Sequence, residues 1–148
     1  MIEAIRKETR SAHALGYFAI LRTASRIEVA VKEALRPLDI THAQLNVLSL
    51  LAHQHPRPMS AGTIGKGVIV ASPDITRLID RLVKKGLVDR KTCPDNRRQM
   101  DITITKDGIS LFYKAHTAAK LATGDFFQDK ITAAQATELA FILSQIRK

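Results

Sequence analysis

The 148-residue chain is 45% apolar and 25% charged, a globular composition that excludes a disordered protein and suffices for one domain with a real core. A formal charge of +9 and a pI near 10.1 point to a polyanionic partner. The single Cys93 excludes an intrachain disulfide framework, no signal-peptide pattern opens the sequence, and no apolar run approaches the roughly 18–20 residues of a membrane span, so we expect a cytoplasmic protein.

The basic excess is concentrated. Residues 41–105 hold ten Lys/Arg against five Asp/Glu, a net +5, whereas residues 1–40 and 106–148 carry +2 each. From Ser11 to Arg36, Leu15, Phe18, Leu21, Ile27, Val31 and Leu35 recur at near-helical spacing, and Pro37 ends this first helix. Thr41 is a good N-cap for a second helix with Leu45, Leu48 and Leu51 on one face, closed by the His53–Pro58 stretch. Ser60 caps a short third helix to about Val68, although Gly62, Gly65 and Gly67 each cost it roughly 0.8–1 kcal/mol relative to Ala. Packing must hold that element.

Ser72-Pro73 reads as the start of a fourth helix, an N-cap followed by proline at the first helical position. Ile75, Leu78, Ile79 and Leu82 form its buried stripe. Thr76, Arg77, Asp80, Arg81 and Lys84 face solvent or a partner, and Gly86 stops it. Leu87-Val88 and Met100, Ile102 and Ile104 supply two short strands around the turn residues Pro94-Asp95-Asn96, with Arg97 and Arg98 at a basic tip. Helices over about Lys106–Asp125 and Thr132–Arg147 complete the chain. An amphipathic helix followed by a basic-tipped hairpin has the shape and charge of a winged helix-turn-helix: the helix suits a major groove and the tip a neighbouring minor groove. The expected fold is mainly α with a small β wing. An N-terminal helix (1–36) and C-terminal helices (106–148) flank a DNA-binding region (37–105), whose recognition helix is 72–86 and wing 88–105, all in one compact domain. The flanking apolar stripes need a surface, and a homodimer supplies it while matching a two-fold symmetric DNA site.

The order of elements, the segments Ile40–Leu51 (ITHAQLNVLSLL) and Thr76–Arg90 (TRLIDRLVKKGLVDR), then DNRR, ITIT and the Thr105–Gly108 helix start, resembles the MarR family of bacterial transcriptional regulators across about residues 10–147. The resemblance implies a homodimer on pseudo-palindromic double-stranded DNA, usually a repressor released by a small phenolic or other lipophilic effector or by cysteine oxidation. It assigns the helix from Ser72 to Lys85, opened by Ser72, Pro73 and Asp74, to the major groove, with Thr76 and Arg77 near base edges and Arg81 on phosphate. In the wing it implies that Arg97 enters the minor groove, Asp95 holds the wing by pairing with an arginine, and Arg98 meets the backbone; the reverse assignment of the two arginines stays open. The sequence departs from the family pattern at Gly65 and Gly67 and at Pro73-Asp74, where the Asp74 charge would repel phosphate.

Arg77, Arg81, Arg97 and Arg98 as a merely solvated basic face is the competing reading, disfavoured by the helix-hairpin context. Cys93 near the wing reads as an ordinary thiol rather than a redox sensor. The five histidines, His13, His42, His53, His55 and His116, show no metal-ligand spacing, and no metal or cofactor is expected. Phe18, His42, Phe112 and Tyr113 are candidates for an effector pocket, though the aromatics more often serve as core. No nucleophile-base pair, paired carboxylates or cofactor fingerprint emerges, so no enzyme is expected. The alternatives are a winged-helix interaction or assembly module without specific DNA readout and, further off, the helical cap of an enzyme.

Overall fold

The computed structural model describes residues 11–69, 74–96 and 98–146, apart from the side chains of Asp125 and Phe126. Its elements run α1 (Ala12–Leu35), a 3-10 turn (Arg36–Leu38), α2 (His42–Gln54), α3 (Ala61–Gly67), α4 (Ile75–Lys84), β1 (Val88–Thr92), β2 (Met100–Ile104), α5 (Lys106–Phe127) and α6 (Ala133–Ile146). The chain is thus mainly α with one two-stranded sheet, as the periodicities predict. It divides into two compact units, residues 32–121 and residues 1–31 with 122–148.

Local chemistry sets most helix ends of the central unit. Thr41 Oγ1 accepts from the Gln44 N–H at 3.2 Å while Gln44 Oε1 accepts from the Thr41 N–H at 2.9 Å, a complete capping box. That second bond satisfies Gln44, the one buried polar side chain among the described residues. Ser60 caps α3 through the Thr63 N–H at 3.1 Å. Gly86, at φ +70°, lets α4 stop in a left-handed residue, and the Leu87 N–H closes the turn on the Leu82 carbonyl at 3.0 Å.

Two of the three glycines of α3 lie tight against neighbouring helices. A Cβ at Gly67 would stand 3.0 Å from Leu50 Cδ1 of α2, and one at Gly65 would stand 3.3 Å from Ile75 Cγ1 of α4. At both positions a side chain would require Leu50 or Ile75 to shift by a few tenths of an ångström, and Ile64 of the same helix is fully buried. Val47, Leu48 and Leu51 of α2, Ile79 and Leu82 of α4, and Val88 and Ile102 of the sheet are the other large, nearly fully buried side chains of this core, with Leu35. The strands pair antiparallel, Val88 opposite Ile104 and Thr92 opposite Met100. Met59 adds a bridge to Ile102, with N–H···O bonds of 2.9 and 3.0 Å, and ties the chain entering α3 to the base of the wing.

One helix boundary differs from expectation. The helix expected from Ser72 begins at Ile75, capped by Asp74, whose Oδ1 accepts from the Arg77 N–H at 2.9 Å. Asp74 has non-helical backbone angles (φ −135°, ψ 77°), and its carboxylate also engages the Arg77 side chain, a second interaction that a serine hydroxyl cannot match. Ser72 and Pro73 lie outside the described residues, as do Arg97 and Arg147.

Thr105 fastens α5 to the end of α4. Its hydroxyl donates to the Gly86 carbonyl at 2.8 Å and accepts from the Gly108 N–H at 3.0 Å, while its own N–H donates to the Leu87 carbonyl at 3.1 Å. A Cβ at Gly108 would collide with that same Leu87 carbonyl. In the other unit the picture reverses. Leu15, Tyr17, Ile20 and Leu21 of α1 are exposed, and so are Leu139, Phe141, Ile142 and Ile146 of α6. Among the described residues no helix is long and apolar enough to cross a membrane.

Candidate nucleic-acid interface

Helix α4 owes its orientation to a three-residue anchor. Leu78, Ile79 and Leu82 are buried, so the opposite face carries Thr76, Arg77, Arg81 and Lys84 into solvent. The wing stands beside it. Ser60 and Gly62 at the start of α3, Thr76 of α4, and Arg90, Asn96 and Arg98 of the hairpin line a concave surface of about 430 Å³. Arg98 is held at the hairpin tip by its N–H donating to Asn96 Oδ1 at 3.1 Å. Asp95 is exposed at the same tip.

Acidic partners sort the basic residues. Arg90 Nη1 of β1 meets Asp80 Oδ1 of α4 at 2.6 Å, a direct strut between helix and wing. Lys85 Nζ bonds the Asp39 carbonyl and, at 2.8 Å, Asp39 Oδ2, which ties the end of α4 to the turn before α2. Asp39 occupies the left-handed region at φ 51°, which aspartate tolerates better than most residues. Lys84 and Lys85, equivalent by sequence, therefore differ: Lys85 is engaged by an acidic neighbour, while Lys84 lies on the exposed face.

Of the candidates named from sequence, the structure brings Thr76 and Arg98 together on the concave surface, with Arg77 and Arg81 on the neighbouring exposed face. Asp74 caps α4, and Arg97 lies outside the described residues. Reasoning from sequence passed over Arg90, Asn96 and Ser60. Asn96 offered a turn signal, whereas the Asp80–Arg90 contact spans the Gly86 turn and has no periodicity to betray it.

Two of the candidate effector-pocket residues meet within the central unit. Phe112 and Tyr113 line a recess of about 210 Å³ with Ala52, His53 and His116, and the Phe112 ring packs 6.1 Å from His53, 5.3 Å from Tyr113 and 5.5 Å from His116. His53 is oriented by its Nδ1–H donating to the Ser49 carbonyl at 2.7 Å. Phe18 lines a groove of about 900 Å³ within its own unit, beside Leu21, Arg22, Arg26 and Lys130. His42 is the first residue of α2, its carbonyl accepting from Asn46 Nδ2 at 3.0 Å. Cys93 is half-buried just past β1, its N–H donating to the Gln99 carbonyl at 2.9 Å.

Residues 40–100, the span from α2 through the first residue of β2, match the model of the MarR family. That matched segment, α2 to the wing, is similar to the winged helix of the MarR family. The likeness to solved MarR-family structures extends well beyond that span. A MarR transcription factor from Planctomyces limnophilus is 28% identical, with 93% of this chain and 96% of that one covered at a TM-score of 0.67. A mutant of MarR from E. coli, solved in complex with operator DNA, is 26% identical over 89% of this chain and 92% of that one, at 0.77. A MarR-family transcriptional regulator from Rhodococcus is 25% identical over 93% and 95%, at 0.78.

Proposed function

We propose that this chain is a sequence-specific, double-stranded DNA-binding transcriptional regulator. It acts as a homodimer on a pseudo-palindromic operator and works as a repressor that a small phenolic or other lipophilic effector releases. The observation that carries the reading is the exposed face of α4, with Thr76, Arg77 and Arg81, set beside a basic wing across a shared concave surface. The complex of the E. coli relative with operator DNA supports it. Side chains of α4 supply direct readout in a major groove, Arg97 enters the adjacent minor groove, and Arg81 and Arg98 meet phosphates. The exposed apolar side chains of α1 and α6 support the dimer, since a monomer that left so many large apolar groups in water would gain by covering them. The recess beside Phe112 and Tyr113 is the candidate for the effector, which acts only through a difference in affinity between DNA-competent and DNA-incompetent forms.

Fluorescence anisotropy with the DNA upstream of the chain's own gene, against a shuffled duplex and across about 50–200 mM salt, tests the reading. Selective binding that weakens steeply with salt is expected. Arg97→Ala should weaken it by about tenfold or more while the melting temperature and the dimer stay unchanged. Equal binding to both duplexes would refute sequence-specific regulation at that site, and no binding at any salt would favour an interaction module.

A further inference from the structure

We propose that Asp74 is a positioning residue that aims Arg77, and so sets a base preference at the start of α4; the inference rests on the DNA-reading function above. Both oxygens of the Asp74 carboxylate are occupied by the same partner residue. Oδ1 accepts from the Arg77 backbone N–H at 2.9 Å and caps the helix. Oδ2 lies 3.1 Å from Arg77 Nε. The first bond fixes the carboxylate relative to the helix axis, and the second fixes the guanidinium relative to the carboxylate. With Nε engaged, the two terminal amino groups of Arg77 remain at the outer edge of a planar group. That edge is the donor pair that matches guanine O6 and N7 in a major groove.

The pair is exposed, at 79% for the Arg77 side chain and 46% for that of Asp74, so water and salt screen it and it adds little to folding. Its effect is on orientation. A free arginine loses rotamer freedom when it docks, whereas one already held in its fork geometry loses less. The Asp74 charge also disfavours the neighbouring phosphate as an alternative resting place for Arg77, which separates a base-reading arginine from a backbone-binding one. Arg81, on the same exposed face, forms no ion pair of this kind among the described residues and suits the phosphate role.

Asp74→Asn divides the two tasks. Asparagine caps a helix as well as aspartate does, but its remaining polar group is an amide donor that faces the Arg77 Nε–H donor instead of binding it. The experiment is selection of bound sites from a randomised duplex library by the full-length protein, by Asp74→Asn, by Arg77→Ala and by the double variant, with thermal melting of each. The wild type is expected to enrich a site containing a guanine whose preference disappears in Arg77→Ala. Asp74→Asn should melt with the wild type, bind non-operator DNA more tightly, and flatten the preference at that base pair by about tenfold. The double variant should be no flatter than Arg77→Ala, because the aspartate acts through the arginine. Wild-type preference in Asp74→Asn, additive losses in the double variant, or enrichment insensitive to Arg77→Ala each overturn the positioning role. A wild type that enriches no sequence overturns the DNA-reading function itself, a different result read in the same experiment.

Discussion

The two units of this chain solve the burial problem in opposite ways. In residues 32–121, nearly every large apolar side chain of α2 to β2 is turned inward, and the helix ends are closed by Thr41, Ser60, Asp74 and Gly86. In the other unit no described residue of α6 is buried, and of residues 12–31 of α1 only Val31 is. The same amphipathic code therefore yields a finished core in one place and an open apolar face in the other. Helical periodicity states that a face must be covered; it does not state by what.

Matched substitutions would break that contrast if it is wrong. Leu48→Ala removes a fully buried side chain and should cost about 2–5 kcal/mol in chemical denaturation. Leu15→Ala, at 61% exposure, should cost well under that at high dilution and more as protein concentration rises. Equal losses at every concentration would mean that α1 is finished within one chain. A smaller effect is expected from Phe141→Glu, which places a charge on the open face of α6. Sedimentation should then give about the 16.4 kDa of one chain instead of twice that value, with helix content unchanged. An unaltered dimer would exclude this face from the interface. The smallest effect, about 1 kcal/mol, is expected for Thr41→Ala, which breaks the capping box of α2; a change near zero would show that core packing alone fixes where that helix begins.

Legibility followed the range of the interaction. Thr41 and Gln44, three residues apart, and Gly86 at the end of a periodic segment announce themselves because the groups that satisfy them are local. The start of α4 was harder, since Ser72 and Asp74 are both good N-caps two residues apart. The bond from Asp74 to the Arg77 side chain that favours the later start is invisible to a capping rule. Contacts that cross the fold left no trace in the pattern: Lys85 with Asp39, Arg90 with Asp80, and the bridge from Met59 to Ile102. The α3 glycines illustrate the same limit. Propensity counts them as a cost, whereas the approach of Ile75 to Gly65 and of Leu50 to Gly67 favours small residues at those two positions. Of the candidate site, the exposed face of α4 and the basic tip could be read from sequence, while the strut that relates them could not.

The close approach of Gly108 to the Leu87 carbonyl has a consequence in genetics. Any other residue at 108 displaces the joint where β1 and α5 meet the end of α4, so such alleles should lose the protein itself. A chain that cannot fold cannot pair with a wild-type copy, and these alleles should be recessive. Under the proposed function, a change at Arg97 would leave a folded chain that still pairs but reads DNA poorly, and in a cell carrying both copies it should poison the mixed dimers and behave as dominant. The dominance of an allele would thus report which part of the molecule it struck, before any protein is purified.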